Sequence, residues 1–246
     1  MLNVESSSAY PVNDGNGIKA NTVNIYKINY STTTGKTYPI EIGIAKRLKE
    51  TVPVNKIKTT EACIKGCKLF GRNGGCPPFS PEFSSLHGNN ILILYAKMKT
   101  IDFPEKVIHG PYYSRWVFVE TFMTPLTNRL GKFIAAQLDG YFLSSGHCST
   151  CRPKKCSVKL GNNCCDPKHR TYSLESTGVI VTELVEKVFG IELEWWDPKN
   201  NKIIPNHMMK IVGVLVKNEF SLEAINTIVR EAIRADKRIV QDSIFE

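Results

Sequence analysis

The residues best suited to chemistry in this 246-residue chain are its eight cysteines, which fall into two short segments. The first segment, residues 61–83, contains Cys63, Cys67 and Cys76, and the second, residues 146–170, contains the other five. Clustered cysteines in a chain with no recognisable secretory leader are typical of metal or redox sites, because disulfides are rare in a reducing cytosol. The spacing therefore predicts two cysteine-rich metal-binding loops.

The second segment has enough thiols to saturate one metal centre. Its cysteines follow the pattern C-x2-C-x4-C-x7-C-C, which comprises Cys148, Cys151, Cys156, Cys164 and Cys165. Zinc ribbons usually carry paired C-x2-C knuckles, so this spacing favours a [4Fe–4S] centre, with zinc as the alternative metal. Between residues 147 and 170, six Lys and Arg side chains stand against one Asp, a local charge of +5 that suits an anionic thiolate centre.

The first segment is one thiol short of a closed four-ligand site. Cys76 precedes two prolines, as ligand cysteines often do in iron–sulfur loops. Two interpretations stay open at this point. Either one iron remains open to a small molecule or sulfur species, or a fourth ligand comes from elsewhere, the candidates being Cys165, His87, His147 and His169.

The ordered cysteines, with the stretches GYF…SGHC and SLESTGVIVTELVEKVFG, resemble a family of cysteine-rich predicted metal-binding proteins of unknown function from anaerobic archaea and bacteria. The resemblance covers residues 60–215 and implies a metal, iron–sulfur chemistry and an anaerobic metabolism, but no particular reaction. Cys165 departs from the family pattern, which more often has a basic residue there, and it supplies a possible eighth ligand. Carried over by position, the ligands would be Cys63, Cys67, Cys76, Cys148, Cys151, Cys156 and Cys164.

The pattern of predicted strands and helices around these loops indicates a mixed α/β (α+β) fold. We expect a small mixed sheet with flanking helices. Residues 1–20 lack an apolar period and are predicted to be a flexible tail, while 21–246 form a single α/β domain. Strands are predicted at 22–30, 91–96, 191–196 and 209–217. Helices are predicted at 40–50, at 115–143 as two helices that break at Thr124-Pro125, at 181–190 and at 221–238.

The amino-acid composition is that of a globular protein. Hydrophobic residues make up 42% and charged residues 22% of the chain, as in ordinary globular proteins. No apolar stretch approaches the ~20 residues of a membrane span. The first residues lack the features of a secretory signal, so we expect a cytoplasmic protein.

Together these features predict an iron–sulfur protein with two [4Fe–4S] centres, a four-cysteine electron-transfer cluster and a three-cysteine site open to a ligand. A redox partner protein follows from electron transfer, whereas no catalytic triad or dinucleotide fingerprint assigns an enzymatic reaction. The alternative is a zinc-stabilised binding module for nucleic acid or a protein partner, which the net charge of +9 permits. Nucleic acid is disfavoured because the basic residues crowd the cysteines and are not interleaved with aromatic residues.

Overall fold

A seven-stranded sheet forms the centre of the computed structural model, which describes residues 23–67, 70–151, 155–200 and 202–240. The predicted tail, residues 1–20, lies outside the described residues. The strands are β1 (Val23–Ser31), β2 (Thr37–Leu48), β3 (Asn90–Lys99), β4 (Tyr141–Ser144), β5 (Tyr172–Ser173), β6 (His207–Val216) and β7 (Ile239–Val240).

The strand order across the sheet is β5-β4-β6-β3-β2-β1-β7. All neighbours pair antiparallel except β4 and β5, which run parallel at one edge. This mixed sheet, with helices packed on it, confirms the predicted mixed α+β class. The cysteine-rich segment 146–170 is the connection between β4 and β5, so it lies at that edge.

The central strand β3 explains how the sheet is buried on both faces. Ile91, Ile93 and Tyr95 belong to one core cluster, whereas Leu92 and Leu94 belong to the other. Successive side chains of a strand point to opposite faces, so a continuous apolar run fits a strand that is covered on both sides. The predicted strand at 91–96 is thereby confirmed.

Helices cover the two faces of the sheet. Two helices with long apolar stripes, α3 (Tyr112–Gln137) and α6 (Leu222–Ala235), pack on one core. The helices α4 (Leu174–Thr177) and α5 (Val181–Phe189) pack on the other. Ser221 caps α6 by accepting the N–H of Ala224 at 3.1 Å, and Gly190 ends α5 in a left-handed conformation. The predictions at 181–190 and 221–238 are confirmed. Two further helices are α1 (Lys56–Gly66) and α2 (Glu105–Ile108).

The predicted helix at 40–50 is wrong, because these residues belong to β2 and a following 3-10 turn. Ile40, Ile42 and Ile44 occupy every second position of the strand, and all three are buried between β1 and β3. Alternation of β-branched residues outweighs the helical character of the charged residues that follow. Gly43 is required in this strand, since a Cβ there would lie 2.2 Å from the ring of Tyr95.

The predicted break at Thr124-Pro125 does not occur. Residues 112–137 form one helix with Pro125 inside it, and the end of the predicted helical segment is instead strand β4. The cost of a proline in a helix interior, about 3 kcal/mol, is offset by the buried stripe that includes Met123, Leu126 and Leu130. Among the described helices, none combines the length and apolar character that a membrane span requires.

The segment 191–196, predicted as a strand, is irregular. It does not pair with any described strand of the sheet. Instead, the carboxylate of Glu194 accepts the backbone N–H of Asn206 at 2.6 Å. Trp196 enters the core, and the guanidinium of Arg115 lies 4.7 Å from its ring centroid, while Trp195 remains exposed. The segment therefore packs Ile191 and Leu193 against one core and Trp196 into the other.

Candidate metal centre

The first two cysteines are placed by a helix. Helix α1 begins at the cap Asn55, whose Oδ1 accepts the N–H of Lys58 at 2.9 Å, and runs to Gly66. The predicted loop 61–83 is thus helical over its first six residues. Cys63 lies in the last turn and accepts the N–H of Cys67 through its carbonyl at 2.9 Å. Because residues four apart share a helix face, α1 presents both thiols at one end.

The side chain of Lys56, at the start of α1, joins the end of the first loop to helix α4 through hydrogen bonds. The Nζ of Lys56 donates to Ser80 Oγ at 2.8 Å and to the carbonyls of Ser80, Pro81 and Ser176. Burial lowers the pKa of this ammonium, and the nearby Glu82 and Cys63 act in the opposite direction. The start of α1, the end of the loop and helix α4 therefore meet at one partly buried cation beside Cys63.

The second loop is held at the sheet edge. The hydroxyl of Ser144, the last residue of β4, donates to the carbonyls of Gly146 at 3.1 Å and Tyr172 at 3.2 Å. The backbone N–H of Ser145 donates to Asn128 Oδ1 of α3 at 3.0 Å. These contacts fix the backbone at residues 144 and 145, and Cys148 follows only four residues after the end of β4.

The two loops contact each other directly. Gly74 of the first loop donates its N–H to Cys156 Sγ at 3.2 Å. Arg170, at the end of the second loop, donates through Nε to the Gly74 carbonyl at 3.0 Å and through its guanidinium to the Phe79 carbonyl at 2.8 Å. Its guanidinium carbon also lies 5.0 Å from the ring centroid of Tyr172. The loops are therefore one structural unit.

This contact requires glycine in the first loop. A Cβ at Gly75 would lie 2.2 Å from the carbonyl oxygen of Thr171 and 2.8 Å from Cys148 Cβ. A Cβ at Gly74 would lie 2.9 Å from Val158 Cγ2. Glycine allows a backbone to approach another closely, and here it brings the residue before Cys76 against the second loop.

Two thiols are stabilised as thiolates by the surrounding backbone. Burial opposes ionisation of Cys148, but N–H groups of Thr171 and Thr150 outweigh it and lower the pKa of this thiol. Burial likewise opposes ionisation of Cys156, and the N–H groups of Gly74 and residues 158–159 lower its pKa. Since the thiolate is the form that binds metals, these two positions are prepared for ligation.

Three other thiols have pKa values above the ordinary value of a cysteine. Burial raises the pKa of Cys76 to about 11, and burial is also the main cause of the raised pKa of Cys63. A hydrogen bond with Cys165 raises the pKa of Cys151, whose Sγ lies 2.9 Å from that of Cys165. Metal binding at these positions must displace protons, which makes it pH-dependent.

Two of the histidines proposed as a fourth ligand, His87 and His169, are exposed. His169 Nδ1 lies 2.8 Å from Asp166 Oδ1 on an exposed turn. Within the described parts of the chain, no three His, Cys, Asp or Glu side chains converge tightly enough to enclose an ion. The cysteine ligand set itself stays a prediction.

Sequence reasoning missed the residues that join the loops. Arg170 is one of the six basic residues of the second segment, and nothing in the spacing distinguishes it from the others. The available signal was the pair Gly74-Gly75 directly before Cys76, because adjacent glycines beside a ligand often mark a close backbone approach.

Comparison with known protein families matches residues 49–216 to the family described as predicted metal-binding protein (DUF2284). The matched range contains all eight cysteines and the strands β3 to β6 that frame them. No curated protein and no solved structure matches the chain significantly. The family description names a metal and leaves its identity and ligands open.

Proposed function

The chain belongs to this family of predicted metal-binding proteins, and we propose that it is an iron–sulfur protein whose joined loops hold two [4Fe–4S] centres. One observation carries the proposal: the two loops, which together carry all eight cysteines, contact each other through Gly74 and Arg170. Eight thiolates match the ligand requirement of two cubane clusters.

The donor set supports this class of cofactor. Backbone N–H groups point at the sulfurs of Cys148 and Cys156, as expected where thiolate charge must be stabilised. Zinc also binds four thiolates, so the donor set alone does not choose the metal. The C-x2-C-x4-C spacing of the second loop favours iron–sulfur over zinc.

A [4Fe–4S] centre accepts and releases single electrons when it is bound. The chain contributes cations that offset the negative charge of such a centre, with Lys56 beside Cys63 and Arg170 between the loops. Nearby positive charge and N–H···S hydrogen bonds both favour the reduced state of a cluster. We infer an electron-transfer role on this basis.

An electron carrier needs an accessible face for a partner. On the second loop, Cys165 is exposed, Leu160 is 61% exposed, and Lys155 and Lys159 are exposed. An exposed apolar side chain on a loop with exposed basic residues is suited to an acidic redox partner protein. If the first loop binds iron with its own three thiols only, one iron would in addition accept a small molecule or sulfur species.

Anaerobic purification followed by metal analysis tests the proposal. We expect a brown protein with broad absorption near ~400 nm and about eight iron and eight acid-labile sulfide atoms per chain. A colourless protein that holds one or two zinc atoms, even after anaerobic reconstitution with iron and sulfide, would instead support the zinc-stabilised binding module.

A further inference from the structure

We propose that the two centres draw their ligands across the loops, so that Cys148 of the second loop completes the first centre. The first centre then comprises Cys63, Cys67, Cys76 and Cys148. The second centre comprises Cys151, Cys156, Cys164 and Cys165. This assignment rests on the proposed function, since it presupposes that both groups bind metal.

Two second-loop cysteines contact the first loop near Cys76. Cys156 Sγ accepts the N–H of Gly74 at 3.2 Å, and Cys148 lies against the residue that directly precedes Cys76. Gly75 packs so closely on Cys148 that an added Cβ would be 2.8 Å from the Cβ of that cysteine and 3.2 Å from its backbone nitrogen. Gly75 immediately precedes Cys76, so Cys76 and Cys148 approach each other through adjoining backbone. Because Cys148 follows β4 closely, the sheet fixes this approach.

The thiols of this group also affect one another. The pKa of Cys76 is raised first by burial and then by the thiols of Cys67, Cys63 and Cys148. Cys63 in turn is influenced by burial and by Cys67. Cys148 also raises the pKa of Cys156, so its thiol lies between the two groups. The close contact with Gly75 assigns it to the first group.

The remaining four cysteines form the second group. Cys151 Sγ lies 2.9 Å from Cys165 Sγ, and Cys156 and Cys164 both contribute to the raised pKa of Cys151. The backbone N–H of Cys165 donates to Ser157 Oγ at 3.1 Å, which holds the end of the loop beside Cys156. Cys165 thus has a role as the fourth ligand here.

The assignment changes what each centre does. With four thiolates each, neither centre keeps an iron open to a ligand, so both are suited to electron transfer. Cys76 of the first centre is only 8% exposed, but Cys67 of the same centre is exposed. In the second centre, Cys165 is exposed. Each centre therefore has an exposed cysteine near which a redox partner can bind.

Thiol footprinting of two matched double variants tests the assignment. Cys63→Ala/Cys67→Ala removes two ligands from the first centre, and Cys164→Ala/Cys165→Ala removes two from the second. Each metal-loaded protein is treated anaerobically with iodoacetamide, and the labelled cysteines are identified by mass spectrometry. Metal content is measured on the same samples, with the wild-type protein as reference.

The labelling of Cys148 in the two variants decides whether the assignment is correct. We expect it to become labelled together with Cys76 in Cys63→Ala/Cys67→Ala, and to stay protected in Cys164→Ala/Cys165→Ala while Cys151 and Cys156 become labelled. Protection of Cys148 in the first variant, or its labelling in the second, overturns the assignment. The footprint can be read with either iron or zinc bound. Failure of the proposed function is a separate result: a wild-type protein with no bound iron, or with all thiols labelled.

Discussion

Gly74 donates its backbone N–H to the sulfur of Cys156 at 3.2 Å and accepts hydrogen bonds from Arg170 through its carbonyl. One residue of the first loop is thus bonded to the second loop through both of its backbone polar groups. Because Arg170 also reaches the Phe79 carbonyl, the contact spans the whole turn that carries Cys76. The two cysteine loops depend on each other for their conformation.

The first prediction concerns the space at Gly75. In Gly75→Ala the new Cβ would meet the Thr171 carbonyl oxygen at 2.2 Å, so the loops must separate. We expect metal content to fall by roughly half or more and the free energy of unfolding to drop by about 1–3 kcal/mol. Gly66→Ala is the matched control, since nothing lies within 4 Å of a Cβ there. Equal metal content in the two variants would contradict the close approach of the loops.

The second prediction separates hydrogen bonding from charge at Arg170. Arg170→Gln removes the bonds to the Gly74 and Phe79 carbonyls and one positive charge. Lys168→Gln, on an exposed side chain nearby, removes the same charge and leaves those bonds intact. We expect metal content and resistance to proteolysis of 61–83 to fall only in Arg170→Gln. If both variants lose metal equally, the contribution of Arg170 is its charge alone.

The third prediction follows from the shifted thiol pKa values. In the reduced, metal-free protein at pH 7, Cys156 has a lowered pKa, whereas Cys76 has a pKa of about 11 and is buried. Alkylation requires the thiolate, so we expect Cys156 to react at least ~100-fold faster than Cys76. The Cys76 rate should rise about tenfold per pH unit until the pH approaches its pKa. Equal rates for the two cysteines would mean that the described arrangement is lost without metal.

The fourth prediction concerns the partly buried Lys56. Lys56→Met leaves the carbonyls of Ser80, Pro81 and Ser176 without this donor, so we expect a loss of about 1–3 kcal/mol in denaturant unfolding. Lys58→Met is the control, because its pair with Glu183 is exposed and contributes about 0–1 kcal/mol. Similar losses in both variants would show that Lys56 does not fasten the first loop.

Local patterns in the sequence were sufficient for the elements whose burial follows one simple period. The continuous apolar run of β3 and the 3.6-residue stripe of α6 predicted both elements correctly. Residues 40–50 were misassigned because the charged residues at the end of the segment are helix formers, while the alternating isoleucines before them decide the structure. Pro125 was misread as a helix start because only tertiary packing stabilises it inside α3.

The cysteine loops show where local patterns stop being informative. Spacing identified the eight candidate ligands and the two segments that carry them. It gave no information about Gly74 and Arg170, which are 96 residues apart and meet only because the sheet edge brings the loops together. The grouping of Cys148 with the first loop has the same origin, since it depends on where β4 ends.

The central claim, that this chain holds iron–sulfur clusters, is tested most directly by Mössbauer spectroscopy of ⁵⁷Fe-enriched protein purified without oxygen. The account predicts that the iron, about eight atoms per chain, gives the spectrum of diamagnetic [4Fe–4S]²⁺ clusters with tetrahedral sulfur ligation. Iron absent from the spectrum of a folded protein that instead retains zinc on its thiolates would contradict it.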